Sequence, residues 1–210
     1  MVFVLPRQGI AYFPVRKAAT TSVNAALRKL VAPGDPTRKT TRTSMSARQR
    51  RLAKGCFKFT VVRDPVSRLL SCYGNRVEYH KDLSATFLDR TLVRAIGRDP
   101  HPDADTFFQN LRAYCMINDK IWRHTRLQRL VIGTDLGFFD AIYRISELDK
   151  LASDLSARVG QDIVFERLQT GGPKTRFEDL SRASQESVLR FTAPDYRLLH
   201  DFFTPPALSG

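Results

Sequence analysis

Tyr12-Phe13-Pro14-Val15-Arg16-Lys17-Ala18-Ala19-Thr20-Thr21-Ser22, followed by Val23-Asn24-Ala25-Ala26-Leu27, is the stretch on which the reading of this chain turns. A short apolar strand runs into a tight turn carrying one committed lysine, and a helix then opens in three consecutive hydroxyl residues. Residues 10 to 15 are expected to be strand and Thr20 or Thr21 to cap the helix, with Val23, Ala26, Leu27 and Leu30 on its apolar face. A strand–turn–helix of this kind aims several backbone N–H groups and the positive end of the helix dipole at one spot, which is a ready phosphate site. It is not a Walker A loop. Alanines occupy positions 18 and 19, where that motif needs glycine to wrap a triphosphate, and the lysine precedes the small residues.

A second transition of the same type follows. Phe57-Lys58-Phe59-Thr60-Val61-Val62 reads as a strand, rich in β-branched and aromatic residues, and Asp64-Pro65 opens a helix expected to run to about Glu78. Arg63 then falls at the C-terminal edge of the sheet, where ligands gather in open α/β folds. Ser71 lies seven residues after Asp64, on the helical face that carries the helix start. An arginine fork and a hydroxyl can hold a second phosphate together. Two anion sites on one sheet edge suit a nucleotide with phosphates on both sides of its ribose.

The remaining pattern alternates strands and helices. Residues 37 to 45 read as a polar loop and Ser46 to Lys54 as a short basic helix, and a helical region is expected over Asp103 to Asn118. Leu127 to Ile132 and Phe139 to Ile145 read as strands. An amphipathic helix runs from Ser146-Glu147 to Val159 and is stopped by Gly160. Residues 161 to 180 look loop-rich, and two closing helices are expected over Gln185 to Phe191 and Asp195 to Phe203. These elements predict a single domain over residues 1–210, α/β in class: a three-layer, P-loop-like arrangement with a mostly parallel sheet flanked by helices.

Composition narrows the classes. An apolar share of 42% with 14 Phe describes a globular chain rather than a disordered one. No apolar run approaches the roughly 18 residues of a membrane span, and the N-terminus lacks the layout of a signal peptide. Cys56, Cys72 and Cys115 are odd in number and widely spaced, as expected of reduced thiols and not of a disulfide framework or a metal site. A soluble, cytoplasmic protein is expected. The net charge of +13 favours anionic partners. Between Pro36 and Arg63 the chain carries Arg38, Lys39, Arg42, Arg48, Arg50, Arg51, Lys54, Lys58 and Arg63 and no acidic residue. That segment, especially 38–54, could meet an acidic acceptor or steer an anionic donor.

Taken together, Pro14-x2-Lys17-Ala18-Ala19-Thr20-Thr21-Ser22 and Val62-Arg63-Asp64-Pro65-x2-Arg68-Leu69-x-Ser71-x-Tyr73 resemble the two nucleotide motifs of sulfotransferases that use 3′-phosphoadenosine 5′-phosphosulfate (PAPS). The likeness is to the carbohydrate branch that includes the chondroitin and HNK-1 enzymes and their bacterial relatives. Tyr143-Arg144-Ile145-Ser146-Glu147-Leu148 with Asp154-Leu155, and Ala193-Pro194-Asp195-Tyr196, resemble two further segments of that family in the same order. Here Val15 and Arg16 intervene between Pro14 and Lys17, where the family has Pro directly before Lys.

The resemblance implies sulfuryl transfer from PAPS to a hydroxyl or amine of a carbohydrate or glycolipid, without a metal. It implies that Lys17, Thr20, Thr21 and Ser22 grip the 5′-phosphosulfate, with Ala18 and Ala19 between them; Arg16, which the departure from the family pattern places before Lys17, is expected to share those contacts. Arg63 and Ser71 fall on the 3′-phosphate. Lys17 is placed to stabilise charge on the leaving nucleotide. The family's His-Trp-Arg segment stands here as Ile121-Trp122-Arg123, with His124 displaced, which makes His124 the first candidate for the base. His80, Glu78 and Asp119 are alternatives; His101 and His200 have no motif beside them. Gly171-Gly172-Pro173-Lys174-Thr175-Arg176 reads as a basic loop that could close over the nucleotide, with Lys174 or Arg176 touching it. Two other functions compete. An ATP-dependent P-loop phosphotransferase lacks its glycine loop and a Mg²⁺ carboxylate, and a nucleic-acid-binding module on residues 38 to 54 lacks a stacking platform.

Overall fold

The computed structural model describes residues 2–31, 38–39, 47–166 and 174–209. These divide into two compact units, one of residues 1–63 with 128–170, the other of 64–127 with 171–210.

The first unit is built on a five-stranded sheet. Its strands are β1 (Phe3–Leu5), β2 (Ile10–Phe13), β3 (Arg38–Lys39), β4 (Phe57–Val62) and β5 (Ala141–Arg144), in the spatial order β3-β1-β2-β4-β5. β2, β4 and β5 pair in parallel, whereas β1 is antiparallel to both β2 and β3, so only β1 runs against the rest. The sheet is therefore mostly parallel, as expected from the alternation of elements. β1 carries no turn signal strong enough to announce it, and β3 falls inside the stretch expected to be loop.

β2 and the last four residues of β4 are wholly buried, which explains their nearly continuous apolar character, broken by Thr60: a strand covered on both faces has no polar side to show. Tyr12 opposes Phe59 in register and the two rings stack with centroids 4.9 Å apart. Thr60 is buried yet satisfied, donating its hydroxyl to Phe13 O at 2.7 Å. At the far edge, Asp140 accepts from both the N–H and the ammonium of Lys58, each at 2.7 Å. The helices of this unit are α1 (Thr20–Lys29), α2 (Ala47–Leu52), α8 (Arg129–Ile132) and α9 (Leu148–Val159). α9 ends where expected, at Gly160, whose φ of 70° supplies the left-handed turn.

The second unit is helical: α3 (Pro65–Cys72), α4 (Phe87–Ala95), α5 (Ala104–Gln109), α6 (Leu111–Ile117), α7 (Asp119–Thr125) and α10 (Arg182–Leu198). They enclose a core in which Phe107 meets Tyr73, Phe108 and Tyr114, while Leu69, Leu111, Ile121 and Val188 fill in around the rings. Asp64 caps α3 by accepting from Ser67 N–H at 2.7 Å, with Pro65 at the first helical position.

Four expected elements take another form. The helix from Asp64 does not stay regular to Glu78; beyond Cys72 it widens into a π-helical stretch, Tyr73–Tyr79. The region from Asp103 to Asn118 is two helices, broken at Asn110, whose side chain donates to Thr106 O and competes with the backbone ladder. The two closing helices are one, α10, which runs through Pro194. Leu127 to Ile132 is not a strand but leads into α8, because a short apolar run has no period to separate strand from helix.

Candidate nucleotide and transfer site

β2 hands the chain to the lysine turn. Ala18 N–H donates to Val15 O at 3.2 Å, and Thr20 Oγ1 donates to the same carbonyl at 2.6 Å. Buried Val15 and Ala18 anchor the turn, which leaves Arg16 exposed and Lys17 half-buried. Two non-glycine residues here sit in the left-handed region, Lys17 at φ 66° and Ala19 at φ 53°. Each such residue costs about 1–2 kcal/mol, so the turn stores strain that its surroundings must hold. The cap of α1 is Ala19, not Thr20 or Thr21; Thr20 turns its hydroxyl back to Val15 and becomes the first helical residue. No side chain caps α1 and no acid stands in its first turn. The first amides there have no intrahelical acceptor, and no acid of that turn offsets the dipole end. Thr21 is exposed and Ser22 half-buried in that same first turn.

Arg63 joins this turn directly. Its Nη1 donates to Lys17 O at 3.2 Å, which fastens the end of β4 to the lysine whose carbonyl it holds. Its backbone is fixed from the other side by Gln128, wholly buried: Arg63 N–H donates to Gln128 Oε1 at 3.2 Å, and Gln128 Nε2 donates to Arg63 O at 2.7 Å. A carboxamide that gives and takes in this way replaces the neighbouring strand that the backbone of Arg63 would otherwise need. This is why residues 127–132 need not be a strand. Nothing in the sequence marks Gln128; a single Gln at a strand-like run carries no signal.

The other expected site residues lie in the second unit. Ser71 is half-buried on α3, and its hydroxyl makes no hydrogen bond among the described residues. Lys174 and Arg176 are exposed, Arg176 paired with Glu178 at 3.5 Å and its N–H donating to Asp179 at 3.1 Å; Gly171, Gly172 and Pro173 lie outside the described residues. Of the alternative bases, exposed Asp119 is paired with Arg123 at 2.6 Å.

His124 stands half-buried in the last turn of α7, and its backbone is held by Arg68, an arginine of the second motif to which the motif spacing assigns no role. Arg68, only 2% exposed, donates Nη1 to His124 O at 3.1 Å and Nη2 to Thr125 O at 3.0 Å and Arg126 O at 2.7 Å. Three carbonyls at the C-terminal end of a helix are where a cation fits. Burial lowers the pKa of Arg68, and the charge of buried Asp195 opposes that effect. Beside it, Tyr196 donates to Asp64 Oδ2 at 2.6 Å. Burial and the Asp64 carboxylate together raise the Tyr196 pKa, so the phenol stays a donor. Arg126 folds over Trp122 with its guanidinium carbon 5.0 Å from the ring centroid. The signal for Arg68, Asp195 and Tyr196 lay within motifs already quoted, in residues that serve the fold.

Among the described residues no helix is long and apolar enough to cross a membrane, and no three His, Cys, Asp or Glu gather as metal ligands. Comparisons with curated proteins and with solved structures returned no match. The model of the sulfotransferase family matches residues 1–190, and the chain belongs to that family.

Proposed function

We infer that this protein transfers a sulfuryl group from PAPS to a hydroxyl or amine of a carbohydrate or glycolipid acceptor. The observation that carries the reading is the hydrogen bond from Arg63 to Lys17 O, which ties the end of β4 to the lysine turn. Family membership supports sulfuryl transfer and gives no ground for the phosphotransferase alternative. The uncapped, acid-free start of α1 fits an anionic donor group.

When bound, PAPS supplies an activated sulfuryl group on a nucleotide leaving group. In this reading Lys17, the amides of Ala19 and Thr20, and Thr21 and Ser22 hold its 5′ side, with Arg16 at the rim; Ala18, whose N–H is turned to Val15 O like the Thr20 hydroxyl, shapes the turn. Lys17 stabilises the charge that develops on the departing oxygen. Arg63 holds the 3′-phosphate, as does Ser71. His124 takes the acceptor's proton, and Lys174 or Arg176 closes over the nucleotide. No metal is assigned a role. The +13 charge suits an anionic donor and an acidic acceptor alike, and a cytoplasmic location completes the proposal.

A melting comparison tests it. Stabilisation by 3′,5′-adenosine bisphosphate, with no response to ATP and Mg²⁺, is the expected result. The reverse pattern would overturn the reading in favour of a phosphotransferase.

A further inference from the structure

α4 wears its apolar residues on the outside. Phe87 is 77% exposed, Leu88 63%, Leu92 42% and Ile96, at its C-cap, 40%. Leu88, Leu92 and Ile96 recur every fourth residue, and Phe87, Thr91 and Ala95 complete the same exposed arc. Only Val93, buried at 1%, ties the helix to the core beneath. A soluble helix normally turns such a stripe inward, so an outward one marks a surface meant to be covered.

Charge says by what. Arg90, Arg94 and Arg98 follow one another along the same segment, with Arg94 and Arg98 exposed. Arg90 is held at the helix root, donating to Ser84 O at 3.0 Å. The one carboxylate in the helix, Asp89, is engaged in the N-terminal capping box: it accepts from Thr86 N–H at 3.2 Å while its own N–H donates to Thr86 Oγ1 at 3.1 Å. An apolar face bordered by arginine complements a surface that is oily and negative together. A second copy of this chain would set arginine against arginine, so self-association is the poorer fit.

We propose that α4 is an interfacial helix that docks the protein on an anionic lipid bilayer, with Phe87, Leu88, Leu92 and Ile96 in the headgroup–acyl boundary and Arg94 and Arg98 on the lipid phosphates. This does not depend on the sulfuryl-transfer reading; a protein inactive toward PAPS would dock equally well.

The test is cosedimentation of the full chain with vesicles. Vesicles of phosphatidylcholine with about 30 mol% phosphatidylglycerol are compared with phosphatidylcholine alone. Because the whole chain is basic, the deciding variant keeps its charge. Phe87→Ser with Leu92→Ser is expected to weaken binding to the anionic vesicles at least ~tenfold at an unchanged melting temperature. If that pair disturbs folding, Leu88→Ser alone is expected to weaken binding by a smaller factor. Arg94→Glu is expected to weaken binding only where the anionic lipid is present. Binding of the uncharged-face variants equal to that of the native chain would overturn the proposal, since general basicity would then explain it. So would absence of binding by the native chain, or a dimer in sedimentation that the same substitutions dissociate.

Discussion

Arg63 and Arg68 stand five residues apart in one motif, yet the structure gives them opposite work. Arg63 is half-exposed at the end of β4 and touches the lysine turn. Arg68 is buried and divides its fork among three carbonyls of one helix end. The same contrast runs through the two units. The lysine turn is strained, and the helix it opens has neither a side-chain cap nor an acid in its first turn. The Arg68 knot, with Asp195 and the Tyr196–Asp64 bond, turns both terminal nitrogens of its guanidinium to carbonyls of the chain. Two residues of one motif can therefore make contacts of different kinds, one within a turn and the other across a helix end.

Substitutions can break that contrast. The largest effect is expected from Arg68→Met, which strands three carbonyls and removes the positive charge that acts on buried Asp195; removing one partner of a buried charge costs about 3–5 kcal/mol. Urea unfolding measures it, and a change under ~1 kcal/mol would mean that the knot is not structural. Lys17→Ala should do the reverse, leaving stability within about 0.5 kcal/mol and slowing turnover on the order of 10²-fold, read as release of 3′,5′-adenosine bisphosphate from PAPS. Tyr196→Phe removes the phenol's hydrogen bond to the Asp64 carboxylate together with its backbone bond from Val66, and is expected to cost about 1.5–3 kcal/mol in the same unfolding assay.

Much of this was legible beforehand. β2, β4, the Asp64-Pro65 start of α3 and the Gly160 stop of α9 all follow from local chemistry: apolar runs, a capping side chain, a proline and a glycine at the positions that need them. The pairing of the Lys17 and Arg63 motifs was visible as two like transitions. What was not legible depends on contacts distant in sequence. Gln128 matters because Arg63 has no strand beside it there, and Arg68 because a helix end more than fifty residues later needs a cation. The cap of α1 fell on Ala19 because Thr20 found a partner behind it, in Val15 O. Pro194 suggested a helix boundary that α10 does not respect.

Smaller effects sharpen the account of the first unit. Ala19→Gly should relieve the left-handed strain at the cap of α1 and raise stability by up to about 1 kcal/mol, visible as a higher melting temperature. Burial alone would raise the Asp140 pKa, but its bonds from Lys58 outweigh that and hold the carboxyl below its ordinary 3.8. A depressed carboxylate stabilises the fold above its unfolded pKa, and that contribution is lost as pH falls through the lower folded value. Asp140→Asn should therefore flatten the acid limb of the stability curve below pH 3.8 and lower stability slightly at neutral pH.

The division of labour between the two arginines is tested most directly by calorimetric titration of 3′,5′-adenosine bisphosphate into the native protein and Arg63→Ala. Binding by the native chain, weakened on the order of 10–100-fold in Arg63→Ala with the unliganded melting temperature little changed, is the predicted result. Equal affinity in the two proteins would contradict the account and return Arg63 to the scaffold beside Arg68.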